Sequence, residues 1–359
     1  MAIEVTNYQC PSCTGPLNFS SKSGKLACDY CGESFEVATI ELLYEDKEQA
    51  AANVVKDPQW DFAMDEWGEE EAAHMRSYTC PSCGAGIICD DTTAATSCPY
   101  CNNPTVVPGQ FTGTLRPDFV IPFKVDKESA KAALKNHYKG KKFLPKSFSG
   151  ENKIEELKGI YVPFWLFDGV SNGDIRYRGT IKHSHTEGDE NVTVTEHYNV
   201  VREGNIAFEK VPVDGSAKMP DAHMDAIEPY DYSMLVPFSS AYLPGYLADK
   251  FDVDADTCNQ RANERIRTST EDVFKSTITG YESLTTESSN IMIEAGEVKY
   301  ALMPVWLLNT KWNGKDFLFA MNGQTGKLIG DLPVDKGKFT AWFAGISLPL
   351  MVLLGIILF

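Results

Sequence analysis

Eight cysteines of this chain fall into one spacing used twice. Cys10 and Cys13 form a Cys-x2-Cys knuckle, and Cys28 and Cys31 form another after fourteen intervening residues. Cys80 with Cys83 and Cys98 with Cys101 repeat the frame with the same fourteen-residue gap. Tyr8 and Tyr78 each stand two positions before the first cysteine. Paired knuckles of soft thiolates suit a tetrahedral Zn2+. The frames therefore predict two zinc ribbons and two structural Zn2+ ions. One ion takes Cys10, Cys13, Cys28 and Cys31, and the other takes Cys80, Cys83, Cys98 and Cys101. Four protein ligands close such an ion and leave no position for water or substrate.

A knuckle turns tightly so that backbone N–H groups point at the sulfurs, which favours residues tolerant of positive φ. Gly32, Gly84 and Asn102 stand where that demand falls, and Thr14 with Gly15 fits it less well. A ribbon of roughly 30 residues buries too little surface to fold alone, so the metal supplies the missing stability, about 10–16 kcal/mol per ion. Cys98-Pro99-Tyr100-Cys101 also matches a glutaredoxin-type redox tetrapeptide. A redox pair needs its first cysteine at a helix N-terminus to lower the thiol pKa. Pro104 disfavours helix at Asn103, so the metal reading stands. Cys89 and Cys258 are left over and read as small buried hydrophobes.

No other constellation announces a reaction. Gly323-Gln324-Thr325-Gly326-Lys327 lacks the phosphate-loop spacing, and there is no G-x-S-x-G, H-E-x-x-H or strand–GxGxxG–helix unit. His183, His185 and His197 are the best further metal-like group, with His183 and His185 on one strand face and His197 across a hairpin. An exposed polar sheet face produces the same pattern. Arg261, Glu264, Arg265 and Arg267 read as exposed ion pairs on a helix. No catalytic residue, no organic cofactor and no enzyme activity are expected.

These ligands need elements to hold them, and the expected fold class is α+β. The order is zinc ribbon 1 (residues 1–40), an acidic aromatic linker (41–77), zinc ribbon 2 (78–108), an α+β domain (109–335) and a transmembrane helix (339–359). The linker has eleven acids against Lys47, Lys56 and Arg76. It also holds Trp60, Phe62, Met64 and Trp67, which either dock on a protein surface or decorate a solvated spacer. Residues 116–146 carry nine Lys or Arg against Asp118, Asp126 and Glu128. Within them, residues 126–138 predict an amphipathic helix with Ala130, Ala133, Leu134 and Tyr138 inward, broken by Lys139-Gly140-Lys141-Lys142. Its basic face reads as solvated, with headgroups, nucleic acid or the acidic linker as possible contacts.

From residue 159 the pattern turns to strands: 160–168, then 174–186 and 191–201 as hairpin arms, and 205–213 as a third. A helix over 254–278 follows, then strands at 289–294 and 297–309, and a hairpin turn at Asn322-Gly323-Gln324-Thr325-Gly326. Pro163-Phe164-Trp165-Leu166 and Pro304-Val305-Trp306-Leu307 echo one another, each followed by a Gly-containing turn. They suggest a duplicated β unit whose tryptophans enter one core.

Residues 339–359 form an uncharged apolar run of 21 residues. At about 1.5 Å per residue this spans roughly 30 Å, the hydrocarbon thickness of a bilayer. Phe339, Trp342 and Phe343 suit the interface, with Lys336 and Lys338 outside it. With no signal peptide expected at the N-terminus, the reading is a tail-anchored cell-membrane protein whose soluble part faces the cytoplasm. The cysteine usage fits that reducing compartment. Net charge is −17, and residues 78–107 contain no Lys or Arg. Phosphate backbones are bound by Lys and Arg, so the ribbons suit protein partners and argue against nucleic acid. A membrane-tethered nucleic-acid-binding regulator using residues 116–146 is the alternative.

The double ribbon resembles the YdjG-like bacterial zinc-ribbon membrane proteins. So do Asp118-Phe119-Val120-Ile121-Pro122-Phe123, Gly159-Ile160-Tyr161-Val162-Pro163-Phe164-Trp165 and Met303-Pro304-Val305-Trp306-Leu307-Leu308-Asn309. Asn322-Gly323-Gln324-Thr325-Gly326-Lys327 before the apolar segment completes the likeness. Helicase-like and transcription-factor-like ribbons share only the cysteine frames. The resemblance implies a non-enzymatic adaptor at the cytoplasmic membrane face. It also implies zinc-ribbon or flotillin-like partner proteins and a role in envelope stress.

Overall fold

The computed structural model describes residues 10–12, 17–20, 25–28, 30–40, 58, 60–62, 66–93, 95, 97–104, 106–109, 115–187 and 190–358. The chain forms two compact units, Met1–Pro58 and Gln59–Phe359. In the first, β1 (Leu17–Ser20), β2 (Lys25–Cys28) and β3 (Ser34–Phe35) make an antiparallel sheet. Register pairs Leu17 with Cys28 and Leu26 with Phe35. Its buried core is Cys10, Leu17, Leu26, Cys28 and Ile40, with Phe35 and Val37 against it. Among the described residues this core is small, and small cores of this kind leave a role for a metal.

The second unit is mixed α and β around an eleven-stranded sheet. The segment that carries the second cysteine frame supplies β4 (Met75–Thr79), β5 (Gly86–Asp90) and β6 (Val107–Gly109). The short β7 (Phe119–Val120) precedes the long hairpin of β8 (Lys158–Glu187) and β9 (Glu190–Asp214). Then come β10 (Val236–Pro237), β11 (Leu247–Asp249), β12 (Ser283–Trp312), β13 (Lys315–Asn322) and β14 (Leu328–Gly330). The path runs β10-β7-β12-β8-β11-β5-β4-β6, with β9 on β8 and β13-β14 on β12. Side chains alternate across this sheet because the strand period is two. One face collects Ile160, Val162, Phe164 and Leu166 with Ala301, Met303, Val305 and Leu307. The other collects Tyr161, Trp165 and Phe167 with Val298, Tyr300 and Leu302.

The helix Ala255–Ser276 covers that second face. The Asp254 carboxylate caps its N-terminus by accepting from the Thr257 N–H at 2.8 Å. Cys258, Ala262, Ile266, Thr270 and Phe274 are buried, the three-to-four spacing of an apolar stripe. The helix Lys127–Tyr138 begins after Asp126 as its periodicity predicts, with Ala130, Leu134 and Tyr138 buried and Ala133 half-buried.

Several expectations need correction. The separate strands 160–168 and 174–186 are one strand, β8, and 289–294 and 297–309 are one strand, β12. The expected third arm, 205–213, is the second half of β9, paired with β8 from Asn205↔Asn172 to Val213↔Trp165. Gly169, read as a turn residue, sits at a bulge in a continuous ladder, as Gly296 does in β12. A Cβ on Gly169 would meet Glu294 O at 2.9 Å, so glycine serves close strand approach there. Trp165 and Trp306 lie in separate apolar clusters rather than one core, and their Nε1–H groups donate to different carbonyls, Val253 O and Val125 O. The two Pro-x-Trp-Leu segments lie on paired antiparallel strands but out of register, Pro163 opposite Leu302 and Pro304 opposite Tyr161.

The end of the acidic stretch is docked. Trp60 is buried edge-on against Phe167 at 5.0 Å, and Trp67 meets Phe238 at 5.4 Å. Met64 lies outside the described residues. The helix Lys336–Leu358 includes Pro349 and is long and apolar enough to cross a membrane, with none of its span buried by the protein.

Candidate metal centres

The second frame is built by two matched turns. Cys80 N–H donates to Ala85 O at 2.9 Å and Gly84 N–H to Cys80 O at 2.8 Å. Cys98 N–H donates to Asn103 O at 2.9 Å and Asn102 N–H to Cys98 O at 3.1 Å. The residue after each knuckle takes positive φ, 76° at Gly84 and 56° at Asn102. Asparagine is among the few side chains that tolerate this region. The turns bring all four sulfurs within 4.8 Å of one another, with Cys80–Cys101 and Cys83–Cys98 at 3.6 Å. A disulfide would need about 2.05 Å. These thiols are free and clustered, a donor set that could hold a metal ion.

Burial raises the Cys80 thiol, but the N–H groups of Cys83 and Ser82 together with the Cys101 and Cys83 thiols outweigh it and leave it at about 7. Burial pushes Cys98 strongly upward. A reactive first cysteine of a redox pair needs the opposite, and Cys98 has no helix after it.

The cluster is welded to the large sheet. Asn309, in β12, donates from Nδ2 to the Tyr100 carbonyl, and its own carbonyl accepts from Asn102 Nδ2 at 2.8 Å. Lys158 Nζ donates to Ser97 O at 3.0 Å. Below the knuckles, β5 pairs with β11, which pairs with β8.

In the first frame, Cys10, Cys28 and Cys31 come together, with Cys10 and Cys31 sulfurs 3.6 Å apart. The turn repeats the pattern, Gly32 N–H donating to Cys28 O at 2.9 Å with φ of 78° at Gly32. Cys13, and Thr14 with Gly15, lie outside the described residues. Tyr30, inside the second knuckle, is 79% exposed.

Among the described residues, these two cysteine groups are the sets of three or more potential ligands that converge. His197 pairs with Thr180, whereas His183 pairs with Val194 and His185 with Val192, which separates His197 from the other two along the hairpin. Cys89 and Cys258 are buried as expected, and burial raises Cys258 to about 12.

Arg261 and Arg265 are a correction: they form a partly buried network, not exposed surface pairs. Arg261 reaches Asp214 at 2.7 Å, Asp221 at 3.2 Å and Asp225, while Arg265 holds Glu228 at 3.0 Å and also Asp225. Burial raises the Asp214 carboxyl, and Arg261 pulls it partly back. Sequence reading missed this because Asp214 lies on β9, far along the chain. The signal available was two arginines one turn apart beside the buried face of an amphipathic helix.

A protein of Bacillus subtilis (strain 168) designated uncharacterized protein YdjG is 34% identical over 346 residues, covering 96% of this chain and 94% of the relative. No family model and no solved structure matches.

Proposed function

This chain belongs to the YdjG family, and we propose that it is a zinc-stapled, membrane-held adaptor that presents its first ribbon to a cytoplasmic partner protein. The observation that carries the reading is the closed four-thiol cluster of Cys80, Cys83, Cys98 and Cys101. A tetrahedral ion with Zn–S of about 2.3 Å has S···S edges of roughly 3.8 Å, close to the 3.6 Å found. Such a site uses every coordination position on protein and contributes stability rather than a Lewis-acid surface. The first frame takes the same role through Cys10, Cys13, Cys28 and Cys31.

The two ribbons divide the labour. The second lies inside the main sheet, so its knuckles are scaffold. The first has its own small unit and exposes Tyr30 beside Cys31, the rigid aromatic presentation that suits an interaction hot spot. The helix Lys336–Leu358 is the anchor, and Lys336 and Lys338 favour the cytoplasmic side for the soluble part. The resemblance suggests zinc-ribbon or flotillin-like partners and envelope stress. Nucleic-acid binding through residues 116–146 is supported less well, because Arg116 pairs with Glu71 at 2.8 Å and Lys131 with Glu128 and Glu155 at 2.7 Å.

The test is recovery of partner proteins with the membrane-embedded full chain, comparing wild type, Tyr30→Ala and Cys28→Ser. Loss of one specific partner in both variants is expected. Unchanged recovery in both overturns the role given to the first ribbon.

A further inference from the structure

The break in the basic stretch, Lys139-Gly140-Lys141-Lys142, does not sit on an arbitrary surface. It lies against the start of the apolar helix, almost 200 residues away in sequence. Asp335 N–H donates to Phe143 O at 2.8 Å, and Lys338 Nζ donates to Leu144 O at 2.6 Å. Phe143 stands edge-on to Phe339 at 5.4 Å and to Trp342 at 5.5 Å. Hydrogen bonds and aromatic contacts thus fix the lysine loop to the first turns of the helix.

Between them is a cavity of about 420 Å3, its walls mostly apolar: Phe143, Leu332, Val334 and Trp342, with Lys141 and Lys142 at its edge. Lys139, Lys141, Lys142 and Lys336 are exposed. Asp335, beside Lys336, is engaged with the Gly337 and Lys338 N–H groups at 2.9 and 3.1 Å. The pairing is an apolar slot beside the start of an exposed apolar helix, with lysines among its lining. Water-soluble anions would need the cations but not the slot. A neutral lipid would use the slot but not the cations.

Resting on the membrane-anchor reading above, we propose that this slot holds one anionic glycerophospholipid of the facing leaflet. Its phosphate meets Lys141 and Lys142, and the upper part of an acyl chain lies along Phe143, Val334 and Trp342. Juxtamembrane basic clusters gain roughly fivefold in anionic-lipid preference per lysine near the surface. A chain of net charge −17 would otherwise be repelled by the same leaflet. The slot therefore reconciles an acidic protein with an acidic membrane, and it sets how the α+β body stands over the bilayer.

The test uses the full chain reconstituted in vesicles of phosphatidylcholine and phosphatidylglycerol, with bromine on the acyl chains of one lipid or the other. Trp342 fluorescence is read as the signal lost in Trp342→Phe. Quenching is expected to be several-fold stronger with brominated phosphatidylglycerol, and to become equal for the two lipids in Lys141→Gln/Lys142→Gln. Both lysines are exposed, so the double variant should fold. Equal quenching by both lipids in the wild type overturns the lipid site and leaves the anchor intact. No quenching by either removes the anchor and the site together.

Discussion

One cysteine frame, written twice, is used in two ways. The first copy stands in a small unit whose core is Cys10, Leu17, Leu26, Cys28 and Ile40. The second shares its core with the main sheet, where Cys80, Cys98 and Tyr100 pack with Ile160, Phe164 and Leu307. The same frame therefore sits, among the described residues, in a small core in one unit and in the main core of the other. In the proposed function the labour divides accordingly, the first frame presenting a surface of its own unit and the second bracing the main sheet.

The largest contrast should appear on stripping the metal. Ribbon 1 is expected to lose its fold outright, as structural zinc supplies about 10–16 kcal/mol in such modules. The strands β8 and β12 should persist, because the second face of their ladder buries a core that contains no frame cysteine. Far-UV circular dichroism during titration with a zinc chelator should show a small early loss and retention of most strand signal. A single cooperative collapse would erase the distinction between the two frames.

A smaller effect separates the units by pH. Asp249, on β11 under the second frame, is buried, and burial raises its carboxyl to about 7 although the Ser216 hydroxyl donates to it. Between about pH 4 and 7 the folded chain keeps a proton that the unfolded chain releases, so stability falls as pH rises through that window and levels off above it. A shift of three units corresponds to roughly 4 kcal/mol at most. Asp249→Asn should cancel this slope. The difference in thermal midpoint between variant and wild type should thus widen from pH 5 to 7.5, whereas the protonation of cysteine thiols is common to both. A difference that does not change with pH would contradict the raised carboxyl.

The smallest effect tests the seam. Asn309→Ala removes the donor to the Tyr100 carbonyl and is expected to cost about 1–3 kcal/mol in the second unit only. Urea unfolding followed by fluorescence of the buried tryptophans measures it. A change below about 0.5 kcal/mol would mean that the second frame is not fastened to β12 by this residue.

What was legible in the sequence was local. Cysteine spacing, the positive-φ residues Gly32, Gly84 and Asn102, the helix starts at residues 126 and 254 and the turn at Asn322–Gly326 all act within a few positions. The Gly326 N–H to Asn322 O bond at 2.9 Å and φ of 79° at Gly326 show that turn formed. What was hidden depends on distant pairing. Nothing near Cys80 announces that β5 will join β11, and nothing near Arg261 announces Asp214. The expected Gly-containing turn after residue 168 is a bulge at Gly169, because glycine serves a turn and a bulge equally well and only the partner strand decides between them. Asn309 gave no signal, since its role is to meet a carbonyl across the fold.

The first frame is expected to hold only its own unit and the second to brace the main sheet. Hydrogen–deuterium exchange of the full chain, compared among wild type, Cys28→Ser and Cys98→Ser, tests it most directly. Cys28→Ser should expose only amides of the first unit, including β2 and β3. Cys98→Ser should release β4 and β5 and extend through their pairing to β11. Exposure of β8 or β12 by Cys28→Ser, or an effect of Cys98→Ser confined to its own knuckles, would contradict the account.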